Sequence, residues 1–188
     1  MRLLYNVDAM KASSPEKKIV KDRQTVTAEG KSTKLLIHGV KFKELATHVD
    51  DRGYVCEMYD SRWDWHPDPL VFSYVFTIRP GLVKGWGLHK KHEDRYFILF
   101  GRVKIVLYDS RPDSPTKGMV SEIYLSEYNR RIMNIPIGVW HADENVGETE
   151  AVIVNYPTIC YDHKDPDKYR LPLNTKEIPY QFPGKTGW

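Results

Sequence analysis

Three side chains of this 188-residue chain could together move a proton: His89, Asp94 and His141. A neutral imidazole near its ordinary pKa can take a proton at pH 7, which makes His89 the leading candidate for a general base. Asp94 could orient His89 as a carboxylate partner, or could stand as a solvated charge beside Arg95. His141 is open between direct chemistry and a structural hydrogen bond. The same three residues have a second possible use. Two imidazoles and one carboxylate form a ligand set for a divalent transition metal (Fe, Mn, Ni or Zn) with open coordination positions.

The elements that must position these residues read as strands. Val40–Leu45 alternates, and Tyr54–Tyr59 leaves the turn at Asp50–Gly53. Val71–Ile78, Lys84–His89, Arg95–Leu99, Val103–Tyr108, Val120–Leu125, Ile132–Ile135 and Ala151–Tyr156 follow. Gly147-Glu148 suits a hairpin turn between Asn145 and Ala151. Short strands with frequent turn signals predict an all-β sandwich or barrel. Residues 1–34 are poorly patterned and read as an N-terminal arm, with a loop or capped turn at Lys11–Lys18. Residues 35–188 read as one domain with a Pro-rich C-terminal tail, in which Asp165–Arg170 suits one helical turn started by Asp165 and Pro166.

Composition narrows the class. With 41% hydrophobic and 12% aromatic residues, the chain has the makings of a folded core. The net charge of +3 arises from 28 basic and 25 acidic residues that are scattered, which argues against nucleic acid as a partner. No apolar run reaches the ~20 residues needed to cross a bilayer. The two cysteines, Cys56 and Cys160, read as reduced, buried thiols in a cytoplasmic protein without a signal peptide.

Pro136-x-Gly138-x-x-His141-x-x-x-Asn145 is similar to the second signature of the cupin superfamily, and His89-x4-Asp94-x6-Gly101 resembles half of the first. The resemblance implies a jelly-roll barrel, a double-stranded β-helix, with both segments on neighbouring strands at its mouth. Within that superfamily the chain resembles the dTDP-4-dehydrorhamnose 3,5-epimerases over roughly residues 37–183. Asp51-Arg52-Gly53-Tyr54 with Glu57 carries the likeness, as do Gly87-Leu88-His89 and Asp109-Ser110-Arg111 before Ser114-Pro115-Thr116-Lys117-Gly118. Leu125-Ser126 with Asn129 and Ile135–His141 continue it, and Ile178–Pro183 is a faint last match.

That resemblance implies proton abstraction α to the ketone of a nucleotide-linked 4-keto sugar, without a cofactor, in a homodimer. His89 matches the base and His141 a second pocket histidine. Arg52 and Glu57 match nucleotide-contacting positions. Three positions depart from the family pattern. Asp94 stands where the family has a lysine, Asn155 where it has an acid tyrosine (with Tyr156 adjacent), and Trp86 where it has an arginine. The catalytic set is therefore His89, His141, Asp94, Asn155 and Tyr156. The substrate-binding set is Arg52, Glu57, Trp86, Lys84 and Arg111, with Lys90 and Lys91 as further candidates for a diphosphate. Tyr74 and Tyr161 are possible acids or stacking groups. Trp63, Trp65, Trp86 and Trp140 offer ring faces for a sugar or base. Most of these residues have packing or surface exposure as the plainer alternative. His66, His163 and the His92-Glu93 pair are expected to face water. A metal-dependent cupin enzyme and a non-catalytic sugar-nucleotide-binding cupin are the two rival readings.

Overall fold

The computed structural model describes residues 19–185 and Gly187; the turn expected at Lys11–Lys18 lies outside them. The chain divides into two compact units, Met1–Lys34 and Leu35–Trp188. In the first, a bridge pairs Val26 with Ser32 around a turn at Gly30.

In the second unit the alternating segments form twelve antiparallel strands. These are β1 (Phe42–Glu44), β2 (Thr47–Asp50), β3 (Gly53–Cys56), β4 (Tyr74–Ile78), β5 (Val83–Leu88), β6 (Asp94–Phe100), β7 (Arg102–Asp109), β8 (Val120–Ser126), β9 (Arg131–Ile135), β10 (Val139–Asn145), β11 (Ala151–Asn155) and β12 (Tyr169–Arg170). Two five-stranded sheets run β1-β9-β6-β11-β4 and β12-β5-β10-β7-β8, and β2-β3 is a separate hairpin. No helix occurs among the described residues.

The period-2 alternation sends Ile78, Ile98, Ile105, Leu107, Met133 and Ile153 inward to one apolar core. The outward faces are covered as well. Trp86, Val106 and Ala142 pack beneath Leu173, Ile178 and Phe182 of the tail. Phe97, Ile132 and Tyr156 pack with Tyr59, Trp63 and Trp65 from the loop after β3. Arg95, fully buried, fastens that loop. Its guanidinium donates to the carbonyls of Asp68, Pro69, Tyr156 and Pro157. At Gly101, between β6 and β7, φ is +88° and a Cβ would come within 2.8 Å of Ala151 Cα, so only glycine fits this corner.

Three local expectations are corrected. Gly147-Glu148 does not close a hairpin. β10 pairs with β5 and β7 while β11 pairs with β4 and β6, so the connection crosses between sheets. Asn145 holds the crossing, its Nδ2 donating to the carbonyls of Ile78 and Thr149. The helical turn at Asp165–Arg170 is extended chain, with Tyr169 opposite Leu88 and Arg170 opposite Gly87. An open β5 edge offers backbone partners to the passing chain. Asp167 is drawn out of any helical first turn because its carboxylate accepts the amides of Lys90 and Lys91. Both cysteines are free, but Cys56 is half-buried and Cys160 exposed rather than buried.

Candidate active site

Strand register brings the polar residues to one end of the barrel. His141 on β10 lies opposite Gly87 on β5, where a Cβ would approach His141 Nε2 to 3.0 Å, so glycine leaves room for the imidazole. Asn155 on β11 lies between Tyr96 on β6 and Tyr74 on β4. Together with Asp94, Asp143, Lys84 and Lys168, these strands enclose a cavity of about 170 Å³ that His89 also lines. A second cavity of about 200 Å³ adjoins it at Tyr74 and His89, and reaches Phe72, Ile159, Cys160 and Tyr161.

Asp94 is the hub. Its carboxylate is 1% exposed and sits among three imidazoles. Its Oδ2 lies 3.2 Å from His89 Nε2 and 3.7 Å from His141 Nε2, and its Oδ1 lies 3.6 Å from His92 Nε2. Asn155 Nδ2 donates to Asp94 Oδ1 at 2.6 Å and approaches the Tyr74 hydroxyl at 3.0 Å. Burial alone would drive the Asp94 pKa up, but hydrogen bonds from His89 and His92, and then charge at His89, hold it well below the usual carboxylate range. Asp94 is thus an anion at the bottom of the cavity.

His89 is fixed from the other side. Its Nδ1 donates to the Asp167 carbonyl, which keeps a proton on Nδ1; Nε2, 3.2 Å from Asp94 Oδ2, donates to that carboxylate in the imidazolium form and is the free acceptor in the neutral form. Burial lowers the His89 pKa, yet the Asp94 contact more than offsets it, so the net shift is upward. His141 stacks on His89 at 5.3 Å, and burial pushes its pKa down to about 4, so it is neutral. His92 lies against His89, ring centres 4.1 Å apart, with its Nδ1 2.8 Å from Asp167 Oδ2.

His89, Asp94, His141 and Asn155 are therefore brought together. Lys84 lines the cavity as well. The other expected site residues are elsewhere. Tyr156 points to the opposite sheet face, as a regular strand requires, and burial raises its pKa to about 12. Trp86 faces the tail, its ring 5.5 Å from Phe182, and touches neither cavity. Arg111 is engaged by Asp109 at 2.8 Å and by the His38 carbonyl. Arg52 pairs with Asp50 at the tip of the β2–β3 turn, and Glu57 follows β3 exposed; neither lines either of these two cavities.

Of the aromatic and basic candidates, Tyr74 lines both cavities and Tyr161 the outer one. Trp63 and Trp65, on the loop after β3, pack against Phe97, Ile132 and Tyr156, and Trp140 packs beneath the tail. Lys91 lines the outer cavity and pairs with Asp165, and Lys90 lies over the Tyr169 ring. His92 and His66 are not solvated as expected. His92 joins the site, and His66 Nε2 is held 2.9 Å from Glu93 under the loop. His163 is exposed, as expected.

Sequence reasoning missed Tyr96, Asp143, Asp167 and Lys168. Asp143 and Tyr96 were legible in principle. Each stands two residues beyond a singled-out position, His141 and Asp94, and so on the same strand face. Nothing local marks Lys168 or Asp167, because the tail returns to β5 from far along the chain, pairing Tyr169 with Leu88. His89, Asp94 and His141 also offer one metal-ligand atom each within 4.8 Å of one another, as do His89, His92 and Asp167.

A two-sheet antiparallel barrel with an imidazole–carboxylate cluster at its mouth defines a cupin-type protein equipped for acid–base chemistry. Comparison makes the assignment closer. Residues 34–180 match the family model for dTDP-4-dehydrorhamnose 3,5-epimerase, and the chain belongs to that family. A probable low-salt glycan biosynthesis epimerase, Agl13 of Haloferax volcanii, is 34% identical over 139 residues, covering 73% of this chain and 89% of its own. The spore coat polysaccharide biosynthesis protein SpsL of Bacillus subtilis is 35% identical over 149 residues, covering 78% and 97%. Among solved structures, a dTDP sugar isomerase from Desulfovibrio desulfuricans superposes with a TM-score of 0.73 at 26% identity, covering 79% of this chain and 93% of that one.

Proposed function

We propose that this protein is an epimerase of a nucleotide-linked 4-keto sugar, working in polysaccharide or glycan assembly. The carrying observation is the placement of His89. Its Nε2 faces the inner cavity, its Nδ1 is anchored on a backbone carbonyl, and the buried Asp94 anion waits to stabilise the imidazolium. In the reaction Nε2 takes the proton from the carbon beside the ketone. The C–H electron pair becomes the C=C of an enolate, and the carbonyl π pair moves to oxygen. A proton from solvent returns to the opposite face and inverts the centre, and His89 releases the abstracted proton to solvent, which restores the neutral base. Asp94 raises the basicity of His89, and Asn155 positions Asp94.

The nucleotide follows from the family and from the outer cavity, where Phe72 and Tyr161 offer ring faces and Lys91 a charge. Arg52 and Glu57 fit the reading if the functional unit is a homodimer and each hairpin serves its partner's cavity. Exposed Val49 and Val55 on the same hairpin favour such a contact, being 77% and 69% accessible. A cytoplasmic setting completes the reading; among the described residues no helix is long and apolar enough to cross a membrane.

The test is solvent exchange in D2O with dTDP-, GDP-, UDP- and CDP-linked 4-keto sugars. Wild type takes up one deuterium if one centre is inverted and two if both neighbours are. His89→Asn loses roughly 10²–10⁴-fold in exchange rate. Chelator treatment leaves the rate unchanged, since no step runs through a metal. Undiminished exchange in His89→Asn sinks the assignment, and loss of activity on chelation would turn the cluster toward a metal role.

A further inference from the structure

The inner cavity holds a second carboxyl, Asp143, that the scheme above does not use. It is 4% exposed on β10, two residues beyond His141 and on the same face. The groups around it come from five elements: Tyr74 on β4, Lys84 on β5, Asp94 and Tyr96 on β6, His141 on its own strand, and Lys168 on the tail. Asp143 differs from Asp94 in its partners. Oδ1 is buried and meets no hydrogen-bond partner among the described residues. Oδ2 has one long contact, 3.4 Å from the Tyr96 hydroxyl, and that same hydroxyl stands 3.4 Å from Asp94 Oδ2. A single phenol proton cannot serve both carboxylates. Asp94 has imidazoles and the Asn155 amide to stabilise its charge; Asp143 has none of these.

Two carboxyls sharing one enclosed site do not both ionise readily. An unpaired buried carboxylate oxygen is also far more costly than a buried neutral carboxyl. The site therefore divides its two acids, with Asp94 as the anion and Asp143 as the acid. The electrostatics agree. Burial first, and then the Asp94 charge, raise the Asp143 pKa to about 8, despite Lys168 and Lys84 pulling the other way. With Oδ1 enclosed, Oδ2 is the oxygen through which Asp143 can meet a ligand.

We propose that Asp143 is the neutral acid of this site, its Oδ2–H donating a hydrogen bond to the ketone oxygen of the sugar as the α-proton leaves for His89. The inference rests on the epimerase reading. It supplies what an enolate requires, a donor aimed at the developing oxyanion, from a carboxylic acid instead of a fixed cation. The proton moves onto the enolate oxygen, giving an enol and the Asp143 carboxylate. It returns to Asp143 as the carbon is reprotonated, so no other reactant is consumed.

The first measurement needs no substrate. An infrared difference spectrum of wild type against Asp143→Asn at pH 7 shows a protonated-carboxyl band that the variant lacks, and Asp94→Asn keeps that band. The second is kinetic. The alkaline limb of the kcat/KM profile disappears in Asp143→Asn while the acid limb remains, and kcat falls about 10²-fold with KM little changed. Asp143→Leu, which keeps the bulk and offers no donor, loses more than Asp143→Asn, which keeps an N–H. Thermal melts of both variants establish that they fold, and the wild-type band stands independently of either. Absence of the band in wild type, or wild-type kcat and an unaltered alkaline limb in Asp143→Asn, overturns the proposal. If Asp143→Asn is unimpaired while His89→Asn is inactive, Asp143 is excluded and the epimerase reading stands. If wild type exchanges no sugar proton, the reading beneath the proposal falls with it.

Discussion

At the residue scale, one imidazole and two carboxyls acquire three different characters from their surroundings. His89 gains basicity from Asp94, so its folded pKa lies above the ordinary 6.5. The neutral form that accepts a proton therefore appears only at higher pH. We expect kcat/KM to rise through an acid limb above 6.5, and Asp94→Asn to shift that limb downward, measured from the pH profile of deuterium uptake. His141 is held neutral by burial and does not compete. Asp143 has a consequence for stability too. Its folded pKa, about 8, is raised above the ordinary carboxyl value of 3.8. The fold favours the protonated form, so the associated stability is full below the unfolded pKa and is lost as pH rises through the folded one. Asp143→Asn carries no such loss. The difference in melting temperature, variant minus wild type, should grow from about pH 5 to about pH 8; a constant difference would contradict a raised pKa.

At the element scale, the site is a junction of β4, β5, β6, β10 and β11 with a returning tail. The tail does two jobs. It seals the outer face of β5 and β10 over Trp86, and it delivers the Asp167 carbonyl and Lys168 to the cavity. Phe182 is 7% exposed and packs on Trp86, so Phe182→Ala should cost about 3–5 kcal/mol in denaturant unfolding. A cost below about 1 kcal/mol would mean that the tail is not part of the cooperative unit. The other seal, the loop after β3, depends on Arg95, which replaces a carboxylate partner with four carbonyls.

At the scale of the whole molecule, the barrel joins residues that are distant in the chain: Asp94 on β6 and Asn155 on β11 hydrogen-bond to each other. Arg52 and Glu57 belong to this scale because neither of the two site cavities reaches them. Under the dimer reading, Arg52→Ala raises KM for the sugar nucleotide about 10-fold or more and leaves kcat and the melting temperature unchanged. Steady-state kinetics with sedimentation of the same sample measure both. An unchanged KM in a protein that sediments as a dimer would remove Arg52 from the binding surface.

The sequence by itself determined the antiparallel strands, the cupin-type barrel, and the meeting of His89, Asp94 and His141. These depend on period-2 alternation, on glycine where the chain turns tightly, and on motif spacing, all of which are local and readable along the chain. Tyr156, read from the sequence as a catalytic candidate, turns away instead, because successive strand residues alternate faces. Only the tertiary structure decided the rest. Tyr96 and Asp143 enter the site because strands from two sheets converge there. Asp167 and Lys168 enter because the tail pairs with β5 where a helical turn was expected. Trp86 leaves it because the tail needs an apolar surface to bury. Protonation states belong to the same category. Asp94 and Asp143 are the same residue type, and it is the hydrogen-bonding partners of one of them, His89, His92 and the Asn155 amide, that make the first an anion and the second an acid.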